Sequence, residues 1–237
     1  VHVPGGDTVY HWYPGRGAEC LNEIVPENYG GTIQCDGYSA YPAFQKTRKA
    51  VVLGGCFAHV RRKFWEALEQ RQDVTFNRWI VGQIQLLYEV EERLRDSKVG
   101  PEKRAAVRQS ESRPIIKRLR RALELVEKKR RYLPQSLTGK AISYALNQWD
   151  TVVRWIEDGR MEIDNNLVEN KIRPTKLGAK NWLFIGANEA GWRSAVIYSI
   201  ITSCRNHGIE PFEYLSDVLD RLPSMTTDQI KDITPSA

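Results

Sequence analysis

Cysteine is scarce in this 237-residue sequence: four residues, Cys20, Cys35, Cys56 and Cys204. So few thiols build no dense disulfide framework, and a reducing, cytoplasmic setting fits best. No apolar run approaches the roughly 18 residues of a membrane span, and no signal-peptide pattern opens the chain. Neither a Ser/His/Asp triad nor a Gly-rich phosphate loop can be read, which leaves hydrolase and nucleotide-binding readings with little support. An initiating methionine is missing too. The chain opens at Val1 inside a β-like segment, and a fragment is expected.

What is present suffices for a core. Hydrophobic residues make up 41% and aromatics 10%, which argues against wholesale disorder. The length suits one large domain, or one domain with an insertion. The net charge of +6 is unevenly placed, because residues 101–131 hold twelve Lys and Arg against four Glu. Such a concentration suits a polyanion partner, or a solvated helical face.

Hydrophobic spacing gives the elements. Residues 7–13 alternate like a strand after the Pro4-Gly5-Gly6 turn. Residues 17–28 suit a short helix. Residues 30–41 read as a buried strand ending at Asp36-Gly37, and 50–59 as another that runs into a helix bearing Val60, Phe64 and Leu68. From Phe76 to Trp155 the signal is helical. Phe76, Ile80, Ile84 and Leu87 mark one helix, and Ile115, Leu119, Leu123 and Val126 a second. A third carries Ala141, Ala145, Trp149, Val152 and Ile156. "NWLFIG" (181–186) reads as a short extended piece. A helix then closes at Gly208, Pro211 starts a last one, and the tail from Ser224 is expected to be loose. The order describes an α/β domain interrupted by an all-helical insertion.

Two acidic residues stand out. Asp36 follows "TIQC" at the C-terminal end of a strand, where open α/β sheets place ligands; a plain turn aspartate before glycine is the alternative. Glu169 lies in "EIDNNLVENKIRPTK", a helix with Asp164 as N-cap, Ile163 stapled onto Val168, and Val168 and Ile172 facing inward. Pro174 is expected to end or kink it. Glu169 shares a face with Asn165, Asn166 and Arg173, and the alternative is a solvated Glu169–Arg173 pair. Together the two acids suggest a divalent-metal site, since hard cations take carboxylate oxygens and keep waters and substrate phosphates in their shell. Two such ions about 4 Å apart can drive phosphoryl transfer. Arg61, Arg62, Lys63, Arg173, Lys176 and Lys180 could hold a phosphate backbone. Lys117, Arg118, Arg120 and Arg121 could add sequence-independent contacts.

Four blocks make the reading specific: "IQCDGYSAY", "GCFAHVRRKFWEAL", "DNNLVENKIRPTKLGAKNWLF" and "YSIITSCRNHGIEPFEYLSDVLDRLP". In order and spacing, from about residue 8 to 222, they resemble insertion-sequence-66 family transposases. That family is similar to other DDE transposases. The resemblance implies an RNase H-like core in which three acidic residues bind two Mg²⁺ ions, with Mn²⁺ as an alternative, for DNA-end cleavage and strand transfer. It makes Asp36 the second acidic residue and Glu169 the third. The first is expected upstream of Val1, so this chain by itself is expected to be inactive. Where the family commonly carries an arginine before Lys-Asn-Trp, this chain has Ala179.

Cys56-x-x-His59 resembles a family block, and Cys204-x-x-His207 repeats its spacing. A zinc site from the two pairs is one reading; buried cysteines with locally bonded histidines are the favoured one. His59 is also a candidate to contact DNA or order the acidic residues, with Asn165 and Asn166 as further supporting groups. Trp182 could stack on an unpaired base, although a core position is favoured. The expected domains are 1–72 (core, first part), 73–160 (helical insertion), 161–208 (core, acidic helix) and 209–237 (C-terminal helix and tail). Expected partners are element-end and target DNA, further copies of the chain and helper proteins of the same element, in the prokaryotic nucleoid. The rival is a non-enzymatic DNA-binding or inhibitory remnant of a transposase.

Overall fold

A computed structural model describes residues 1–2, 6–182 and 186–236. Pro4 and Gly5 of the expected first turn, and Leu183, Phe184 and Ile185 of the expected extended piece, lie outside the described residues, as does the side chain of Trp182. In chain order come α1 (Glu19–Ile24), β1 (Thr32–Gln34), α2 (Ala40–Thr47), β2 (Val52–Gly54), α3 (Phe57–Glu69), α4 (Val74–Asp96) and α5 (Pro101–Val107). A π-turn (Arg108–Ser112) leads into α6 (Arg113–Lys128), followed by α7 (Leu137–Asn147), α8 (Trp149–Val152) and a 3₁₀ turn (Arg154–Ile156). α9 (Asn166–Trp182), α10 (Asn188–Asn206) and α11 (Pro211–Arg221) complete the helices, with 3₁₀ turns at Leu222–Ser224 and Thr227–Ile233. The described residues are mostly helical, with one small two-stranded parallel sheet. Two compact units result: Val25–Asn166, and Val1–Ile24 with Leu167–Ala237.

In the unit Val25–Asn166, β-branched Thr32, Ile33 and Val52 favour extended backbone. β1 and β2 pair in parallel, with Thr32 opposite Val52 and Gln34 opposite Gly54, and α2 makes the crossover between them. The strands are shorter than expected: three residues each, with β1 half-buried rather than buried. Helices build the core. Phe57, Val60 and Phe64 of α3 meet Ile80, Ile84 and Leu87 of α4 and Leu119, Leu123 and Val126 of α6. On α6 the stripe is anchored by Ile116, not Ile115, because 116, 119, 123 and 126 alternate three and four residues and keep one face. The expected third helix is broken into α7, α8 and the 3₁₀ turn, yet Ala141, Ala145, Trp149, Val152 and Ile156 are all buried. The break lets the Thr151 carbonyl accept the N–H of Gly55 at 2.8 Å, which ties the end of β2 to α8.

An ionic centre lies inside these helices. Pro114 has no N–H to donate, and the π-turn just before it carries Arg108, whose side chain is fully buried. Arg108 donates through Nε and Nη2 to the buried Glu91 carboxylate at 2.7 Å each. It also donates to the carbonyls of Trp155 (2.7 Å), Asp158 (2.9 Å) and Met161 (2.9 Å). Arg104 bridges Glu91 and Glu162, with each contact at 2.7 Å. Gln34 Nε2 donates to the Glu162 carbonyl at 2.6 Å. The centre thereby fixes the chain 155–162 that leads to Asp164. Two arginines of the basic stretch are thus structural, not available to a polyanion.

In the other unit, residues 7–13 form no strand. Thr8 pairs with His2 in an isolated bridge, and the N–H groups of Thr8 and Tyr10 go to Ser203 Oγ (3.1 Å) and Ser199 Oγ (2.8 Å) of α10. Side chains have taken the donors that a sheet would need. α10 closes as expected: Gly208 adopts φ +71° and the Ile209 N–H returns to the Cys204 carbonyl at 2.9 Å. Pro211 opens α11, where Glu210 accepts the N–H groups of Phe212 and Glu213. Other expectations hold less well. α9 does not end at Pro174 but runs through it to Trp182, with the Thr175 hydroxyl donating to the Ile172 carbonyl at 2.5 Å. Val168 and Ile172 are exposed rather than facing inward, while Ile163 is buried in the core of Val25–Asn166. The tail is folded: Thr226 and Gln229 make a reciprocal cap, and Ile233 is buried.

Candidate functional site

Two parallel strands that stop side by side bring the residues after them to one edge: Cys35-Asp36-Gly37 after β1, and Gly55-Cys56 after β2. Asp36 is half-buried, and its Oδ1 accepts the Tyr38 N–H at 3.0 Å, which fixes a tight local turn. Among the described residues it has no ion-pair partner, and its second oxygen accepts no hydrogen bond. Tyr144 of α7 approaches so closely that a Cβ on Gly37 would lie 2.8 Å from its hydroxyl. A side chain there would have to displace Tyr144. Lys63 of α3 stands 4.6 Å from the centre of the Tyr144 ring. Burial, with the nearby Cys56 and Asp36, pushes the Tyr144 phenol up to about 12, so it stays a neutral donor at physiological pH.

Cys56 continues the same edge. Burial raises its thiol to about 11, against the N–H groups of Asn165 and His59 that point at the sulfur. Cys35 is raised to about 12 by burial, then by the charge of Asp36. Both are neutral packing groups rather than nucleophiles. Asp164 is buried: Oδ2 accepts from Tyr88 Oη (2.7 Å) and Asn166 Nδ2 (2.8 Å), and Oδ1 accepts the Asn166 N–H (3.0 Å). It caps the start of α9, as its place in the sequence indicated. Asn165 Oδ1 is buried with no hydrogen-bond partner among the described residues. Arg61 lies near enough to Tyr88 to act on its phenol, and its guanidinium is 5.4 Å from the Trp65 ring.

The structure therefore gathers Asp36, His59, Lys63, Asn165 and Asn166, with Arg61, around the strand ends of Val25–Asn166 and the start of α9. Arg62 is exposed on α3. Glu169 follows in the first turn of α9, half-buried, where the helix N-terminus favours a carboxylate. Arg173, Lys176 and Lys180 recur along α9 at three- and four-residue intervals, exposed and with no ion pair among the described residues. The four cations of α6 have another setting. Arg118 donates to Gln83 (2.6 Å) and Arg120 pairs with Glu124 (2.7 Å), while Lys117 and Arg121 are exposed. Among the described residues no group of three His, Cys, Asp or Glu side chains converges. Cys56 and Cys204 are buried, as the favoured reading of the two Cys-x-x-His pairs expects, but His207 pairs with Asp7 at 3.0 Å, two hundred residues away in sequence rather than locally.

Tyr88, Tyr144 and the Glu91–Arg108 pair went unread in the sequence. Each sits on or beside an apolar stripe, but which distant chain it meets has no local signal. No described helix is long and apolar enough to cross a membrane.

The family model described as "Transposase IS66 family" matches residues 5–193, and one described as "IS66 C-terminal element" matches residues 199–236. An uncharacterized protein of Sinorhizobium fredii, y4qI, is 34% identical over 220 residues, covering 90% of this chain and 40% of that protein. A second from that organism, y4jD, is 31% identical over 215 residues, covering 88% and 41%. The chain thus spans about two fifths of the length of these curated relatives. No solved structure matches. With the family model spanning the strand ends, the acidic helix and most of the chain between, this protein belongs to the IS66 transposase family.

Proposed function

We propose that this chain carries part of the catalytic region of a DNA transposase of the DDE type. In this reading the core is RNase H-like (1–72 and 161–208), interrupted by the helical insertion 73–160 and followed by 209–237. Asp36 and Glu169 are two of three carboxylates that hold two divalent ions, Mg²⁺ or alternatively Mn²⁺. The donor chemistry fits such ions: a carboxylate oxygen of Asp36 with no cation on it, and the partnerless buried oxygen of Asn165, are hard donors. When bound, the ions would activate the attacking oxygen and stabilise the leaving one.

The chain's own residues position the rest. Arg61, Arg62, Lys63, Arg173, Lys176 and Lys180 take phosphates near the carboxylates, and Lys117, Arg118, Arg120 and Arg121 take phosphates farther along. His59, Asn165 and Asn166 hold the carboxylates in orientation. Catalysis on paired ends implies further copies of the chain, with helper proteins of the element, acting on DNA in the prokaryotic nucleoid.

The observation that carries the reading is Asp36 itself, at the carboxyl end of a parallel strand, with no ion-pair partner among the described residues, inside the matched family region. The test is end cleavage and joining by the complete transposase containing this chain, with Asp36→Asn and Glu169→Gln compared in Mg²⁺ and Mn²⁺. Each is expected to cut activity at least about a hundredfold, beyond the loss typical of an outer-shell group. Full activity in either variant rules that residue out. A second reading, DNA binding without catalysis, is favoured by the lack of a three-group cluster among the described residues beside plentiful exposed cations. It predicts DNA affinity with no cleavage in any metal.

A further inference from the structure

The unit formed by Val1–Ile24 and Leu167–Ala237 contains a half-open pocket of about 490 Å³, within the roughly 300–1,000 Å³ range of small-ligand sites. Three aromatic side chains, Tyr10, Trp12 and Tyr198, stand on its walls, with Ile172 of α9 adding an apolar surface. The Tyr10 and Tyr198 rings are 6.0 Å apart and inclined at 49°, and Tyr10 is fixed by its hydroxyl on the Lys171 carbonyl at 2.5 Å. Trp12 lies flat on Gly191: a Cβ there would come within 2.2 Å of the indole. Its outer part is left accessible, with 37% of the residue exposed.

Polar groups are few and chemically specific. Lys176 reaches the pocket from α9, between Arg173 and Lys180 on a row of exposed cations. His11 lines it as well, and partial burial, then the positive N-terminus, lowers the pKa of that imidazole, so at neutral pH it is an uncharged donor and acceptor. Aromatic walls beside a cation row are what a nucleic-acid strand requires when one base leaves its stack. The phosphates follow the lysines and the base meets a ring.

We infer that this pocket binds an unpaired nucleobase of DNA, stacked against Trp12, with the flanking phosphates held by Arg173, Lys176 and Lys180. A cavity able to hold a flat ring, with Lys176 on its wall and further cations three and four residues away on the same helix, suits a base still attached to its strand better than a free apolar metabolite. The inference rests on the proposed action on DNA and adds a subsite to it.

The test uses an oligonucleotide duplex with one unpaired terminal 2-aminopurine, beside a fully paired duplex of the same sequence. Stacking is expected to quench the unpaired probe on binding. Trp12→Ala should weaken binding of the frayed duplex about tenfold and leave the paired duplex unchanged. Because Trp12 also packs on Gly191, Ala179→Trp, which fills the pocket from an exposed position on α9, serves as the second variant and should have the same selective effect. Binding of both duplexes without quenching, or equal losses for both, overturns the pocket while the DNA reading stands. Failure to bind either duplex overturns both.

Discussion

Two carboxylates of the unit Val25–Asn166 have opposite settings. Glu91 is wholly buried and holds two arginines, whereas Asp36, half-buried at a strand end, holds none among the described residues. A buried ion needs its partner, since the desolvation it suffers is offset only by close opposite charge and full hydrogen bonding. Asp36 keeps enough water to remain without one. The difference separates a charge that organises the fold from one left for a ligand.

The largest expected effect breaks the first of the two. Glu91→Ala strands Arg108 in the core and should lower unfolding stability by about 3–5 kcal/mol, read from the denaturant midpoint. Asp36→Asn should move it by less than about 0.5 kcal/mol, as for a substitution outside the core network. Similar losses in the two variants would erase the contrast. Acid sharpens it next. Burial alone would raise the Glu91 pKa, but the hydrogen bonds and charges of Arg108 and Arg104 outweigh burial and hold it below the usual 4.5. With the unfolded chain binding the proton more readily, this contribution is complete above about pH 4.5 and is lost as pH falls through the lower folded value. An acid titration of stability should therefore show a steeper fall in the parent protein than in a Glu91→Gln, Arg108→Met double variant. The smallest effect concerns exposed charge. Lys117→Ala with Arg121→Ala should leave stability unchanged within about 0.5 kcal/mol. The same pair should flatten the salt dependence of DNA affinity by about one unit of slope per lost phosphate contact. An unchanged slope would return α6 to the role of a solvated face.

Legibility followed the range of the forces involved. The apolar stripe of α4 was readable because Ile80, Ile84 and Leu87 need only a 3.6-residue period to share a face. Asp164 was readable as a cap because its carboxylate satisfies an N–H two residues on. Asp36 was readable at a strand end, since a β-branched run followed by Asp-Gly is a local signal. Pro174 does not end α9, because the loss of one donor that proline imposes is accommodated in the folded helix. Ile163 was read from its own helix alone, whereas it enters the core of Val25–Asn166, which no short window shows. The missing strand at 7–13 has the same cause, with Ser199 and Ser203 claiming the backbone donors from nearly two hundred residues away.

By itself the sequence determined the places of the two short strands, the helical stretch between the two acids, the closing turn at Gly208 and the family. All of these depend on periods, caps and blocks that a short window contains. Only the tertiary structure decided which arginines of the basic stretch are buried, that Tyr88 meets Asp164, and that Tyr144 closes over Gly37. The reason is physical: the charge of Arg108 is tolerable only beside Glu91, and contacts of that kind exist only once distant segments have packed.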